Sequence, residues 1–224
     1  MLTILALALL QPKQEVRVLQ LSGMLLTIAE VKITRTTHPD GRLDWLEETK
    51  WDDGRLWIDH RTLTSEGRLR SWAIDWKSSQ AEKGSADGSW RAEKSETGFK
   101  ITKSMYRGEA MYIVRTLRMD DSDCSFSHLL VRSGSAPITG EKGRSLLFIP
   151  GIADAGQLHE VEAAYAGDAQ ILSSGRSIKT HKLLLSAEPR GETWWIDDSG
   201  LPVRREYWTK SPDSPHRIEV MKEG

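Results

Sequence analysis

Between residues 38 and 98 the sequence is punctuated by short Gly-containing signals, "HPDG" at 38–41, "DDG" at 52–54, "SEG" at 65–67, "ADG" at 86–88 and "ETG" at 96–98. Asp-Gly and related pairs supply the positive φ of tight hairpin loops, so the segments between them should be antiparallel neighbours in a meander. Those segments, "LWIDHRTL", "LRSWAIDW" and "GFKITKS", alternate as strands of a sheet with one buried face. Trp72, Ile74 and Trp76 share one parity, as do Phe99 with Ile101 and Met111 with Ile113 and Leu117.

The pattern changes at "DDSDCSFSHLLVRSG". Asp121 or Asp123 can cap a helix, Phe126, Leu129 and Leu130 fall at helical spacing, and Gly134 is a stop, which predicts a short helix near 123–132. A loop follows, in which the apolar Leu146–Ile149 is either a short strand or a plug against the sheet. Strands then resume through "HEVEAAYAG", "IKTHKLLLSA", "ETWWIDD", "LPVRREYW" and "HRIEVMKE". The expectation is one mainly β domain over 15–224, with a strand run at 15–119, a helix and loop insertion at 120–157, and a second strand run at 158–223.

The stretch "TWWIDDSGLPVRREYW" at 193–208 is the most specified locally. In "DDSG" Gly200 takes the left-handed position of a hairpin turn, and Pro202, lacking an N–H, suits an edge or bulged site just beyond it. Trp194 and Trp195 must point to opposite faces. Beyond the turn, Arg205 and Tyr207 fall on the face opposite Arg204, Glu206 and Trp208.

Charge and composition exclude several classes. Thirty-one Lys and Arg balance 32 Asp and Glu for a net charge of -1, so no basic nucleic-acid face is expected. The lone Cys124 can form neither an internal disulfide nor a Cys-x-x-Cys site. Residues 1–10, "MLTILALALL", match a signal-peptide apolar region, with Ala6-Leu7-Ala8 as a cleavage signature. They predict export, although the same run would also serve as a first buried strand of a cytoplasmic protein. No membrane span is expected beyond residue 10.

Together, "TWWIDDSGLPVRREYW" with "HRIEVM", the entry segment "LQLSGMLLTIAEVKI" and the following "HPDG" resemble a group of uncharacterised bacterial envelope proteins, similar in fold to the lipoprotein carriers LolA and LolB. The resemblance covers both ends and the order of elements, and the middle only by pattern. It implies a periplasmic, curled, half-open β-barrel around a central helix, with an apolar concavity for an acyl chain or a lipidated protein.

Nine tryptophans are the unusual ingredient, and Trp45, Trp51, Trp57, Trp72, Trp76 and Trp90 fall in the first strand run. Rigid aromatic faces suit an apolar pocket, and they equally suit barrel core. The expected pocket wall is Trp72, Ile74, Trp76, Phe99, Ile101 and Ile113. Arg204 and Arg205 are expected at the rim, either gripping an anionic head group or forming cross-strand pairs with Asp197, Asp198 or Glu206. No catalytic residue is assigned: a Gly-x-Ser-x-Gly elbow is absent from the sequence. No metal site and no cofactor are assigned, since the six histidines are scattered and "HEVEA" lacks a second His. Two functions follow as expectations, a non-enzymatic binder of a hydrophobic ligand, or a filled barrel that docks a protein partner through an edge strand or an exposed Trp.

Overall fold

In the computed structural model, residues 11–23, 29–65, 69–77, 87–96, 98–107, 109–117, 142–149, 157–173, 175–187, 190–209, 212 and 215–222 are described. They form one 14-stranded sheet. Its first run comprises β1 (Lys13–Gly23), β2 (Ala29–Thr37), β3 (Leu43–Trp51), β4 (Leu56–Leu63), β5 (Leu69–Lys77), β6 (Asp87–Ser95), β7 (Gly98–Arg107) and β8 (Glu109–Leu117). The second comprises β9 (Lys142–Ile149), β10 (Gln157–Ser173), β11 (Arg176–Ala187), β12 (Arg190–Ile196), β13 (Pro202–Thr209) and β14 (Pro215–Met221).

The strand order is β8-β7-β6-β5-β4-β3-β2-β1-β14-β13-β12-β11-β10-β9. Each run is a meander of antiparallel neighbours, as the turn signals require, and the two are joined where the first strand pairs with the last, Leu19 opposite Met221. The sheet edges, β8 and β9, are consecutive in sequence.

Among the described residues the sheet is not closed by hydrogen bonds, but it is strongly curled. Strands β3 and β13 are four positions apart, which on a flat sheet would separate them by about 19 Å. Yet Arg205 Nη1 of β13 donates to Glu47 Oε2 of β3 at 2.7 Å. Likewise the rings of Trp45 (β3) and Trp194 (β12) lie 6.3 Å apart. The concave face gathers the core, including Leu19, Val31, Ile33, Trp45, Trp72, Ile74, Trp90, Leu183 and Trp194.

Two local readings change, and one of two alternatives is selected. "LQLSGMLLTIAEVKI" is not one entry strand: β1 and β2 pair from Lys13 opposite Thr37 to Leu21 opposite Ala29. Nor is "ADG" a turn at its glycine, because Gly88 lies inside β6. Its role is room, since a Cβ there would lie 2.2 Å from the Trp76 ring and 2.8 Å from the Ser104 carbonyl oxygen. Of strand and plug, Leu146–Ile149 is the strand: it belongs to β9 and pairs with β10. The predicted helix near 123–132, and residues 1–10, lie outside the described residues.

Candidate functional site

The curl encloses a cavity of about 570 Å³ between β3–β5 on one side and β12–β14 on the other. Cross-strand register builds its first wall, because opposed residues share a face. Thr49 lies opposite Trp57, Trp57 opposite Trp76, Asp59 opposite Ile74, and Arg61 opposite Trp72. The Trp57 and Trp76 rings stack at 6.2 Å, and Trp72 meets Trp90 edge-on at 5.8 Å. The second wall is Trp194, Glu192, Tyr207 and Arg217, set by Glu192 opposite Tyr207 and Tyr207 opposite Arg217.

The floor is ionic. Arg205, 1% exposed, donates from both terminal nitrogens to Glu47 at 2.7 and 2.9 Å and from Nε to Glu219 at 2.6 Å. Arg217 Nη2 donates to the other Glu219 oxygen at 2.7 Å. Next to them Arg61 grips Asp59 with two bonds of 2.9 and 2.6 Å, and Trp72 Nε1 donates to the same carboxylate at 2.8 Å. Burial works against the Glu47 charge, but Arg205 outweighs it and lowers the carboxyl to about 2. Burial likewise opposes the Arg205 charge, and Glu219 and Glu47 together hold it well above its ordinary value. Arginine faces also rest on the aromatics, Arg61 over Trp72 at 4.6 Å and Arg205 over Trp194 at 4.9 Å.

Glu192 differs from the other acids in its partners, while burial raises both its carboxyl and that of Asp59. It accepts a 2.6 Å bond from Trp194 Nε1 and has no ion pair among the described residues. Burial, its largest influence, raises its carboxyl above the ordinary glutamate value despite Trp194 and the nearby Arg205 and Arg61. Lys77 lines the cavity as an exposed residue.

Of the expected wall, Trp72, Ile74 and Trp76 line the cavity together. Phe99 and Ile101 lie on β7 and Ile113 on β8, with Ile101 in register with Ala92, and their side chains lie outside what the structure describes. The two arginines separate. Arg204 pairs with Glu206 at 2.8 Å and stacks over Trp195 at 5.4 Å on the convex face. Arg205 is not at a rim, because strand alternation turns it inward, where two glutamates neutralise it. Sequence reasoning missed Glu47, Asp59, Arg61 and Glu192. Their signal was parity: Glu47 stands between Trp45 and Thr49 on one face of β3, and Asp59 and Arg61 follow Trp57 on one face of β4.

A second polar cluster lies away from the cavity, at the β10 bulge between Tyr165 and Gly167. His181, 3% exposed, contacts Asp168 through Nδ1 at 2.8 Å and Asp198 through Nε2 at 3.1 Å. The Tyr165 hydroxyl donates to Asp168, and chiefly that bond, with His181 assisting, lowers the Asp168 carboxyl to about 2. Asp198 belongs to the 197–200 turn, where Gly200 has φ 80° and donates its N–H to the Asp197 carbonyl at 2.8 Å.

No protein-family model matches this chain, and no curated protein matches its sequence. Among solved structures it is similar to the crystal structure of a beta-barrel-like protein of a domain of unknown function, DUF1849, from Brucella abortus. The match has a TM-score of 0.51 at 8% identity and covers 96% of this chain and 97% of the other. The likeness extends over nearly the whole length, and it is a likeness of fold: an antiparallel, barrel-like sheet.

Proposed function

We propose that this chain is a non-enzymatic envelope protein that binds a hydrophobic ligand, a lipid, a fatty acid or an acylated protein, in the concave face of its half-barrel. One observation carries the reading: the curled sheet leaves about 570 Å³ lined by Trp51, Trp57, Trp72, Trp76 and Trp194, within the size range of ligand pockets and with the rigid aromatic surface they favour. The finer likeness to lipoprotein carriers belongs to the same proposal, as does a periplasmic location, which rests on the apolar residues 1–10.

The test is to express the protein with its own leader in a Gram-negative host, purify it without detergent, and analyse an organic extract by mass spectrometry. Stoichiometric lipid or fatty acid is the expected result. Nothing bound, with tryptophan fluorescence indifferent to added amphiphiles, would overturn the reading. A protein-docking module is the second reading, favoured by the two sheet edges, since β8 and β9 each have one strand neighbour among the described residues. It predicts a co-purifying protein partner and no effect of amphiphiles.

A further inference from the structure

The cavity's charges narrow the chemistry of what it would hold. The cavity is lined by the acids Glu47, Asp59 and Glu192 and the cations Arg55, Arg61, Lys77 and Arg217, with the buried Arg205 and Glu219 bonded to Glu47 and Arg217 behind them. Arg61 is taken by Asp59, Arg205 by Glu47 and Glu219, and Arg217 by Glu219. Glu192 is the lining acid with no ion pair among the described residues, and Lys77 is the lining cation with none. Arg55, on the same wall, is committed to Asp53 at 2.7 Å.

The aromatic walls have the same preference. Ring faces are electron-rich and attract cations, and three lining tryptophans already carry a guanidinium: Trp51 under Arg55 at 5.3 Å, Trp72 under Arg61, and Trp194 under Arg205. An anionic head entering the cavity would compete with built-in carboxylates for arginines that are already ion-paired, with the buried Nε of Arg217 as the donor left without a hydrogen-bond partner. A cationic head would instead meet an unmatched carboxylate among aromatic rings, while its alkyl chain lay along Leu56, Ile74 and the Trp57–Trp76 stack.

We infer that the cavity selects an amphiphile with an organic cationic head, an alkylammonium or quaternary ammonium group, which Glu192 neutralises. This rests on the binding reading above and narrows it: a fatty acid becomes the poorer ligand. Lys77 is the competing determinant, an exposed ammonium that would favour a carboxylate head instead.

The experiment uses three probes of one chain length below their micellar concentrations, octyltrimethylammonium, octanoate and octanol, titrated into the full chain and followed by tryptophan fluorescence. The expected result is that octyltrimethylammonium binds at least tenfold more tightly than octanoate, with octanol between. Glu192→Gln, which keeps an oxygen for Trp194 Nε1, should bring the cation down to the level of octanol. If none of the three binds, the ligand-binding reading itself fails. Equal binding, or an octanoate preference abolished by Lys77→Met, overturns the head-group assignment and leaves that reading standing. Selectivity that survives in a folded Glu192→Gln protein also overturns the inference. The wild-type ranking decides the head group even if the variant misfolds.

Discussion

The two polar clusters, one around Arg205 and one around His181, are built of similar groups and do different work. Arg205 joins residues far apart in the sheet: its partners come from β3 and β14 while it sits on β13, so its bonds hold the curl. The His181 cluster joins near neighbours, β10, β11 and the turn after β12, and one of its acids, Asp198, is 78% exposed. The first is shielded, with Arg205 and Arg217 paired to Glu47 and Glu219. The second is open to solvent on one side. A buried ion network is sensitive to the loss of any member, because each charge left behind is stranded, whereas an exposed one is cushioned by water.

This contrast can be broken in order of expected effect. Arg205→Ala should cost about 3–5 kcal/mol, because Glu47 and Glu219 lose their shared partner in a buried setting. Denaturant melts would measure it, and a loss below about 1 kcal/mol would mean that water reaches the floor and that the network does not hold the curl. His181→Gln should cost only about 1 kcal/mol, the scale of ordinary hydrogen bonds. Equal losses in the two variants would erase the distinction.

Two smaller tests sharpen it. The raised carboxyl of Glu192 favours the folded state while protonated, and that contribution fades as pH climbs from the ordinary glutamate range through the higher folded value. Glu192→Gln should therefore melt above wild type at neutral pH, and the gap should close below about pH 4. Glu47 has the opposite sign: with its carboxyl lowered to about 2, it stabilises the fold above the ordinary glutamate value and loses that contribution as pH falls toward 2.

Much of this architecture was legible in the residues, and the reasons are local. Gly200 in "DDSG" fixes a turn chemically, and Trp72, Ile74 and Trp76 declare a shared face by parity alone. The ionic floor was harder to read. Glu47 and Arg205 are 158 positions apart in the chain, and nothing between neighbouring residues signals a pair made by sheet curvature. A charged residue at inward parity also looks, strand by strand, like an alternation that has slipped. Arg205 was expected at the rim with Arg204, where a guanidinium would meet an anionic head group or a cross-strand acid. Only the curl turns several such interruptions into one network.

That curl has a further consequence. In a closed barrel, strand number and stagger together dictate girth, so the lumen has one width. Here the seam across the cavity is made by side chains, Trp45 against Trp194 and Glu47 against Arg205, rather than by a ladder of backbone bonds. Side-chain contacts can lengthen or exchange rotamers without unzipping a strand, so the bore of this sheet is a property of a few residues and can be tuned by substitution without altering the number of strands.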